Sequence, residues 1–231
     1  MKHQRHHGFV LVTSLIFLIV LSMLGVMALR SSLFEERMAS NDRDLSLARE
    51  YAELALRDAE RDILGLRFDG TSCVSAAINC TAERPAGTRP PPGGDNFWSD
   101  ASVATNISMT DGGLTSELAR QGVYNSESST ACGMPVWSGA DWNDGNNARQ
   151  CAGTIGDAVP TIPYGTFTDA PFNGPAGAVR PRYLIEVFTS PELTGQDNFK
   201  LFFRITAVGF GRTQGATGRT SVTLQSVFSP N

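Results

Sequence analysis

FVLVTSLIFLIVLSMLGVMAL, residues 9–29, is a run of 21 uncharged residues, preceded by MKHQRHHG and followed at once by Arg30. As a helix it spans roughly 31 Å at 1.5 Å per residue, about the thickness of a bilayer's hydrocarbon core. The run therefore reads as a single membrane-crossing helix. A cleaved secretory signal also starts positive, but its apolar core is shorter, about 7–15 residues, and ends in a small-x-small site. Here the run is longer and ends in Ala28-Leu29-Arg30.

Beyond it, Arg30 to Leu64 contains neither proline nor glycine. Leu33, Met38, Leu45, Ala48, Ala52, Leu56, Ala59 and Ile63 recur near three-, four- or seven-residue spacings, with charges filling the gaps. Glu53 and Arg57 stand in the favoured i, i+4 order, worth a few tenths of a kcal/mol. The pattern predicts one helix from Phe9 to about Leu64, roughly 84 Å long, first apolar all round and then amphipathic. A membrane anchor followed by a coiled-coil stalk is the competing reading.

A short basic leader ending in Gly8, then Phe9, then an unbroken apolar helix resembles the type III signal of type IV pilins and type II secretion pseudopilins. The resemblance implies cleavage by a prepilin peptidase between Gly8 and Phe9 and methylation of the new amino terminus at Phe9. The apolar segment is then kept. A narrower resemblance, over about residues 8–62, is to the PilX family of minor pilins. Its residues are Ala28-Leu29-Arg30, Glu36-Arg37-Met38-Ala39-Ser40-Asn41 and Ala52-Glu53-Leu54-Ala55-Leu56-Arg57-Asp58-Ala59-Glu60.

One position departs from the major pilins, which carry a glutamate at the fifth mature residue; here it is Thr13. A carboxylate near mid-bilayer costs a few kcal/mol and is kept where it finds a partner. Threonine avoids the cost by bonding back to the preceding turn, at the carbonyl of Phe9. It cannot neutralise an amine on a neighbouring subunit, which fits a place at the tip of a filament. K-type pseudopilins of type II secretion show a similar loss.

After the helix, about 165 residues remain, enough to bury a core. The net charge is -4. Loss of Lys2 and Arg5 with the leader leaves 17 basic against 23 acidic residues, a charge of -6. Lys200 is then the sole lysine, and no basic run offers a footprint for nucleic acid. His3, His6 and His7 are the only histidines and leave with the leader, so the mature chain lacks an imidazole base for Ser/His or Cys/His chemistry. The chain reads as a non-enzyme without cofactors.

Cys73, Cys80, Cys132 and Cys151 all follow the membrane run, and their even number suits disulfides in an oxidising compartment. Three pairings are possible. Short loops favour Cys73 with Cys80 and Cys132 with Cys151, a loop of about 20 residues contributing roughly 3 kcal/mol. Zinc is disfavoured, because no CxxC spacing and no histidine accompany the thiols. The positive-inside count is ambiguous, with Lys2 and Arg5 on one side and Arg30, Arg37 and Arg43 on the other. The thiols therefore orient the chain, its head in the periplasm of a Gram-negative cell.

Residues 65–180 hold 16 glycines and 9 prolines and read as a loop-rich insert, with one short helix over Thr115–Gln121 closed by Gly122. RPPPGGDNFWSD and MPVWSGADWNDGNNARQC pair tryptophan with turn formers. Such tryptophans serve either as a partner surface or, more often, as buried staples. Asp141, Asn143 and Asp144, with Asn147, are weak calcium candidates, since Gly145 comes too early for an EF-hand.

From residue 181 the pattern is of strands: RYLIEVFT, FKLFFRITAVGF and TSVTLQSVF, the last alternating Val222 and Leu224 with Ser221, Thr223 and Gln225. GRTQGATGR, residues 211–219, reads as an irregular hairpin loop.

The expected architecture is α+β and pilin-like. Leader 1–8, apolar helix 9–29 and amphipathic continuation 30–64 precede the disulfide-bearing insert 65–180 and an antiparallel sheet in 181–231 that packs on the helix. The resemblance implies a minor pilin that primes filament assembly and helps present a tip adhesin. Its partners would be PilV-, PilW- and FimU-like minor pilins, a PilY-type adhesin, the major pilin, the prepilin peptidase and the inner-membrane assembly platform. It would wait in the inner membrane and end in the pilus. The alternatives are a K-type pseudopilin or a surface-binding pilin whose insert mediates adhesion.

Overall fold

The computed structural model describes residues 7–71, 122–140, 142, 159–189, 201–215 and 218–229. In chain order come α1 (His7–Leu64), β1 (Val123–Asn125), α2 (Ser126–Cys132), α3 (Val136–Gly139), β2 (Ile162–Pro163), β3 (Arg182–Thr189), β4 (Leu201–Gly215) and β5 (Gly218–Phe228). Contacts divide the chain into two compact units, residues 1–44 and 45–231.

In the first unit α1 is one helix with no proline to break it. Every residue from Val10 to Leu29 is exposed, including Val10, Leu11, Phe17, Leu18 and Leu29 at about two-thirds. Such a surface is stable only against lipid or other apolar helices. The hydroxyls within it are absorbed by the helix itself: Thr13 donates to the Val10 carbonyl (3.0 Å), Ser14 to Leu11 (2.9 Å) and Ser22 to Ile19 (2.8 Å).

In the second unit the rest of α1 lies on the sheet. Its buried face is Ala48, Tyr51, Ala52, Ala55, Asp58, Ala59, Asp62 and Ile63. Ala48, Ala52, Ala59 and Ile63 follow the predicted stripe; Met38 and Leu45 do not, being two-thirds and half exposed. Alanine predominates because β4 comes very close: a Cβ on Gly209 would lie 2.0 Å from the Ala48 carbonyl oxygen and 2.3 Å from the Ala52 nitrogen. Glu53 pairs back to Arg49 at 3.2 Å rather than forward to Arg57, an exposed contact worth a few tenths of a kcal/mol. The helix ends at Gly65 (φ 66°), where Leu66 N–H donates to the Arg61 carbonyl and Gly65 N–H to that of Asp62.

The sheet runs β1-β3-β4-β5, with β2 also paired to β3. β3, β4 and β5 are antiparallel neighbours, as expected, but β1 lies parallel to β3, so the sheet is mixed rather than antiparallel. β1 has three residues, too few for alternation to reveal it. It reaches β3 through a long connection, which permits a parallel register. Alternation sets the faces: Tyr183, Ile185, Val187, Phe203, Ile205 and Ala207 join Ala55, Ala59 and Ile63 in the main core. On β5, Val222, Leu224 and Phe228 are half-buried while Ser221, Thr223 and Gln225 are exposed, as predicted.

The hairpin after β4 is tighter than the loop expected over 211–219. Strand pairing continues to Gly215 opposite Gly218, with a register shift between Phe210 and Gln214. Arg219 Nη1 donates to the carbonyls of Gly211 and Arg212, both at 3.1 Å, bracing the irregular stretch.

Within 65–180 the described residues supply β1, β2, α2 and α3. Asn125 caps α2, accepting Ser128 N–H at 3.0 Å while Ser128 Oγ accepts Asn125 N–H at 3.1 Å. A second apolar cluster forms from Tyr124, Cys132, Val136, Ala140, Val159 and Leu184, with Met134, Trp137 and Trp142 against it. Trp142 Nε1 donates to the Trp137 carbonyl at 3.1 Å, so these two tryptophans are staples. Trp98 and the helix expected over Thr115–Gln121 lie outside the described residues.

Candidate assembly surface

Two features of α1 matter, each within its own compact unit. One is the exposed apolar cylinder of residues 10–29. Among the described residues α1 is the single helix long and apolar enough to cross a membrane. It carries no acid or base between Val10 and Leu29. Gly8 and Phe9 lie in the first turn of α1, and Thr13 follows one turn later with its hydroxyl turned back onto the helix.

The other is the buried acidic side of the alanine face, Asp58 and Asp62, which the sequence pattern counts only among the charges filling the gaps. Asp58 is fully buried; its carboxylate accepts the Gly165 N–H at 2.7 Å and the Thr168 hydroxyl. Burial pushes its pKa up to about 6, against the pull of those two hydrogen bonds. Asp62, one turn on and equally buried, accepts the Tyr183 hydroxyl at 3.0 Å. Both acids thus bind the head to the helix. Their signal in the sequence is an i, i+4 acidic pair interleaved with Ala55 and Ala59, a spacing that puts carboxylates on the face the alanines bury.

On the far side of β3, Glu186 is fully buried and receives Arg204 bidentately, Nη2 at 2.6 Å and Nε at 2.8 Å. The two are register partners on β3 and β4. Arg204 also sits 4.9 Å over the Phe188 ring, and Ser129 Oγ donates to Glu186 at 3.4 Å, tying α2 to the sheet. Burial, helped by the Glu186 charge, pushes the Tyr124 phenol well above its usual value. Each charge stands alone inside an apolar strand, LIEVF and FFRIT, which is the trace such a pair leaves in a sequence.

Cys132 is fully buried and disulfide-bonded. Cys73, Cys80 and Cys151 lie outside the described residues, as do the calcium candidates Asp141, Asn143 and Asp144. Among the described residues, no three His, Cys, Asp or Glu side chains converge to hold a metal ion.

The first unit thus presents a bare apolar helix, and within the second the head packs on an alanine face of α1. Residues 7–57 match the family model described as PilX N-terminal, and residues 73–230 match the one described as type IV pilus assembly protein PilX C-term. The chain belongs to the PilX family. No curated protein and no solved structure matches it.

PilX-family chains are minor pilins of the type IV pilus, structural subunits that associate with other pilus components. For the PilX fold the exposed cylinder of α1 has a plain use, as a surface compatible with anchorage in the inner membrane.

Proposed function

We infer that this minor pilin primes filament assembly and helps present a tip adhesin. In this reading the prepilin peptidase cuts between Gly8 and Phe9, Phe9 is methylated, and the apolar helix leaves the lipid for the packed helices of the growing pilus. The observation that carries the reading is the cylinder of residues 10–29, exposed at every residue and free of any acid, with Thr13 where major pilins place a glutamate. A subunit without that acid has nothing with which to seek the amine of a subunit ahead of it. It suits the leading position, beside PilV-, PilW- and FimU-like minor pilins and beneath a PilY-type adhesin, with the major pilin following from the assembly platform. The head faces the periplasm before assembly, where Cys73, Cys80, Cys132 and Cys151 oxidise.

Removal of the chain is expected to abolish surface pili while type II secretion continues; the opposite pattern would mark a K-type pseudopilin. Deleting all of 65–180 would also remove β1 and β2 from the sheet, so the informative partial deletion is confined to 72–121. If priming is the function, assembly then follows the fold and pili persist only where the head survives. Pili of normal number with lost adhesion would instead assign adhesion to that segment. Counting sheared pili alongside a cell-aggregation assay separates these outcomes.

A further inference from the structure

Residues 171–181, leading into β3, belong to no helix or strand, and they contain Asn173-Gly174, the single Asn-Gly step of the chain. Asn173 is exposed, whereas the ring before it, Phe172, meets Tyr51 of α1 and Tyr164 at centroid distances of 5.3 and 6.1 Å. Among the described residues, no group donates to or accepts from the Asn173 amide, and the Gly174 N–H has no acceptor. Both are left to water. The fold itself demands glycine at 174, where a Cβ would lie 2.6 and 2.7 Å from Phe172 ring carbons and 2.8 Å from the Ala178 Cβ. An exposed carboxamide is thus followed by a peptide nitrogen that no side chain shields.

Asp69-Gly70, at the exit of α1, shows the opposite arrangement. The Asp69 carboxylate accepts the Thr71 N–H at 3.0 Å and the Thr71 hydroxyl at 2.6 Å, while the Gly70 N–H donates to the Arg67 carbonyl at 3.0 Å. Electrophile and nucleophile are both engaged there. The Thr71 bonds also hold the Asp69 carboxyl below its usual value, and a carboxylate resists attack.

We propose that Asn173 is a self-modifying site, deamidated in the folded chain through attack by the Gly174 peptide nitrogen. That nitrogen gives up its proton to solvent base and bonds to Asn173 Cγ. The Cγ–Nδ2 bond then breaks, and ammonia leaves with a proton from water, closing a five-membered imide. Water opens the ring at either carbonyl. Breaking the bond from Cγ to the Gly174 nitrogen yields aspartate; breaking the bond from the Asn173 carbonyl carbon yields isoaspartate, whose main chain runs through Cβ and Cγ. In sum an amide and water become a carboxylic acid and ammonia, nothing is oxidised or reduced, and position 173 gains a negative charge at neutral pH. The isoaspartyl form also lengthens the main chain beside the Phe172 contact with α1. The proposal depends on the head alone and stands whether or not the chain acts in a pilus.

Incubating the full chain in detergent at mildly alkaline pH, then mapping its peptides by mass spectrometry with fragmentation that separates aspartate from isoaspartate, tests it. Asn173 is expected to react about ten-fold faster than Asn125, whose Oδ1 is held by the Ser128 N–H at 3.0 Å and whose next residue is serine. Isoaspartate should appear at 173 and stay absent at Asp69. In guanidinium chloride Asp69 loses the Thr71 bonds, and isoaspartate should then form there too. Asn173→Gln, in which closure needs a six-membered ring, should leave the peptide unmodified. The proposal is overturned if folded Asn173 reacts no faster than Asn125 or only after unfolding, if folded Asp69 isomerises as readily, or if the glutamine variant's peptide gains the same mass.

Discussion

Replacing Gly209 with alanine is expected to cost the head about 3 kcal/mol, the upper end of what overpacking does in a close-packed core. The added methyl would meet the Ala48 carbonyl oxygen at 2.0 Å, the Ala52 nitrogen at 2.3 Å and the Tyr51 carbonyl carbon at 2.9 Å. All three are backbone atoms of α1, so no side-chain rotation relieves the clash. The helix has to retreat by about 1 Å, opening the contacts of Ala55, Ala59 and Ile63 with the sheet. Valine at the same site is expected to prevent folding of the head. As a control, Val227→Ala on the exposed face of β5 should stay within about 0.5 kcal/mol of wild type. Thermal unfolding of the full chain followed by circular dichroism checks all three. A Gly209→Ala variant as stable as the control would mean that helix and strand are not in contact there.

Arg204→Ala is expected to be of similar or larger effect. It leaves Glu186, which has no exposed surface, as an uncompensated charge between β3 and α2. Removing one partner of a buried ion pair costs about 3–5 kcal/mol, whereas replacing both by apolar residues is often neutral or better. For a head of this size that loss corresponds to a fall in Tm of roughly 10 °C. The double variant Glu186→Leu with Arg204→Leu should recover most of it. Arg204→Lys should fall between, because an ammonium cannot occupy both carboxylate oxygens in the planar fork at 2.6 and 2.8 Å. Additive losses in the double variant would contradict the assignment of the pair as one coupled unit.

How much of this was legible beforehand differs by element. The long helix was, because 21 uncharged residues and an alanine-rich repeat without a breaker admit one secondary structure. The strands after residue 181 were, since β-branched and aromatic runs alternate cleanly in TSVTLQSVF. β1 and β2, of three and two residues, carry no period and owe their pairing to β3, so nothing local announces them. The hairpin near residue 215 was misplaced because its glycines looked like a loop, while register and the Arg219 bonds extend both strands to its tip. Asp58 and Asp62 fall among the charges filling the gaps of the repeat, and charges on an amphipathic helix are usually solvated. Their burial depends on acceptors being needed by Gly165, Thr168 and Tyr183, more than a hundred residues away in the chain.

The central claim is that the apolar half of α1 survives maturation and begins with residue 9. Amino-terminal sequencing, with the intact mass, of protein recovered from envelopes of cells with and without the prepilin peptidase tests this directly. The account predicts a chain starting at N-methylated Phe9 when the peptidase is present and at Met1 when it is absent. A start beyond Leu29, or an unchanged Met1 in both strains, would contradict it.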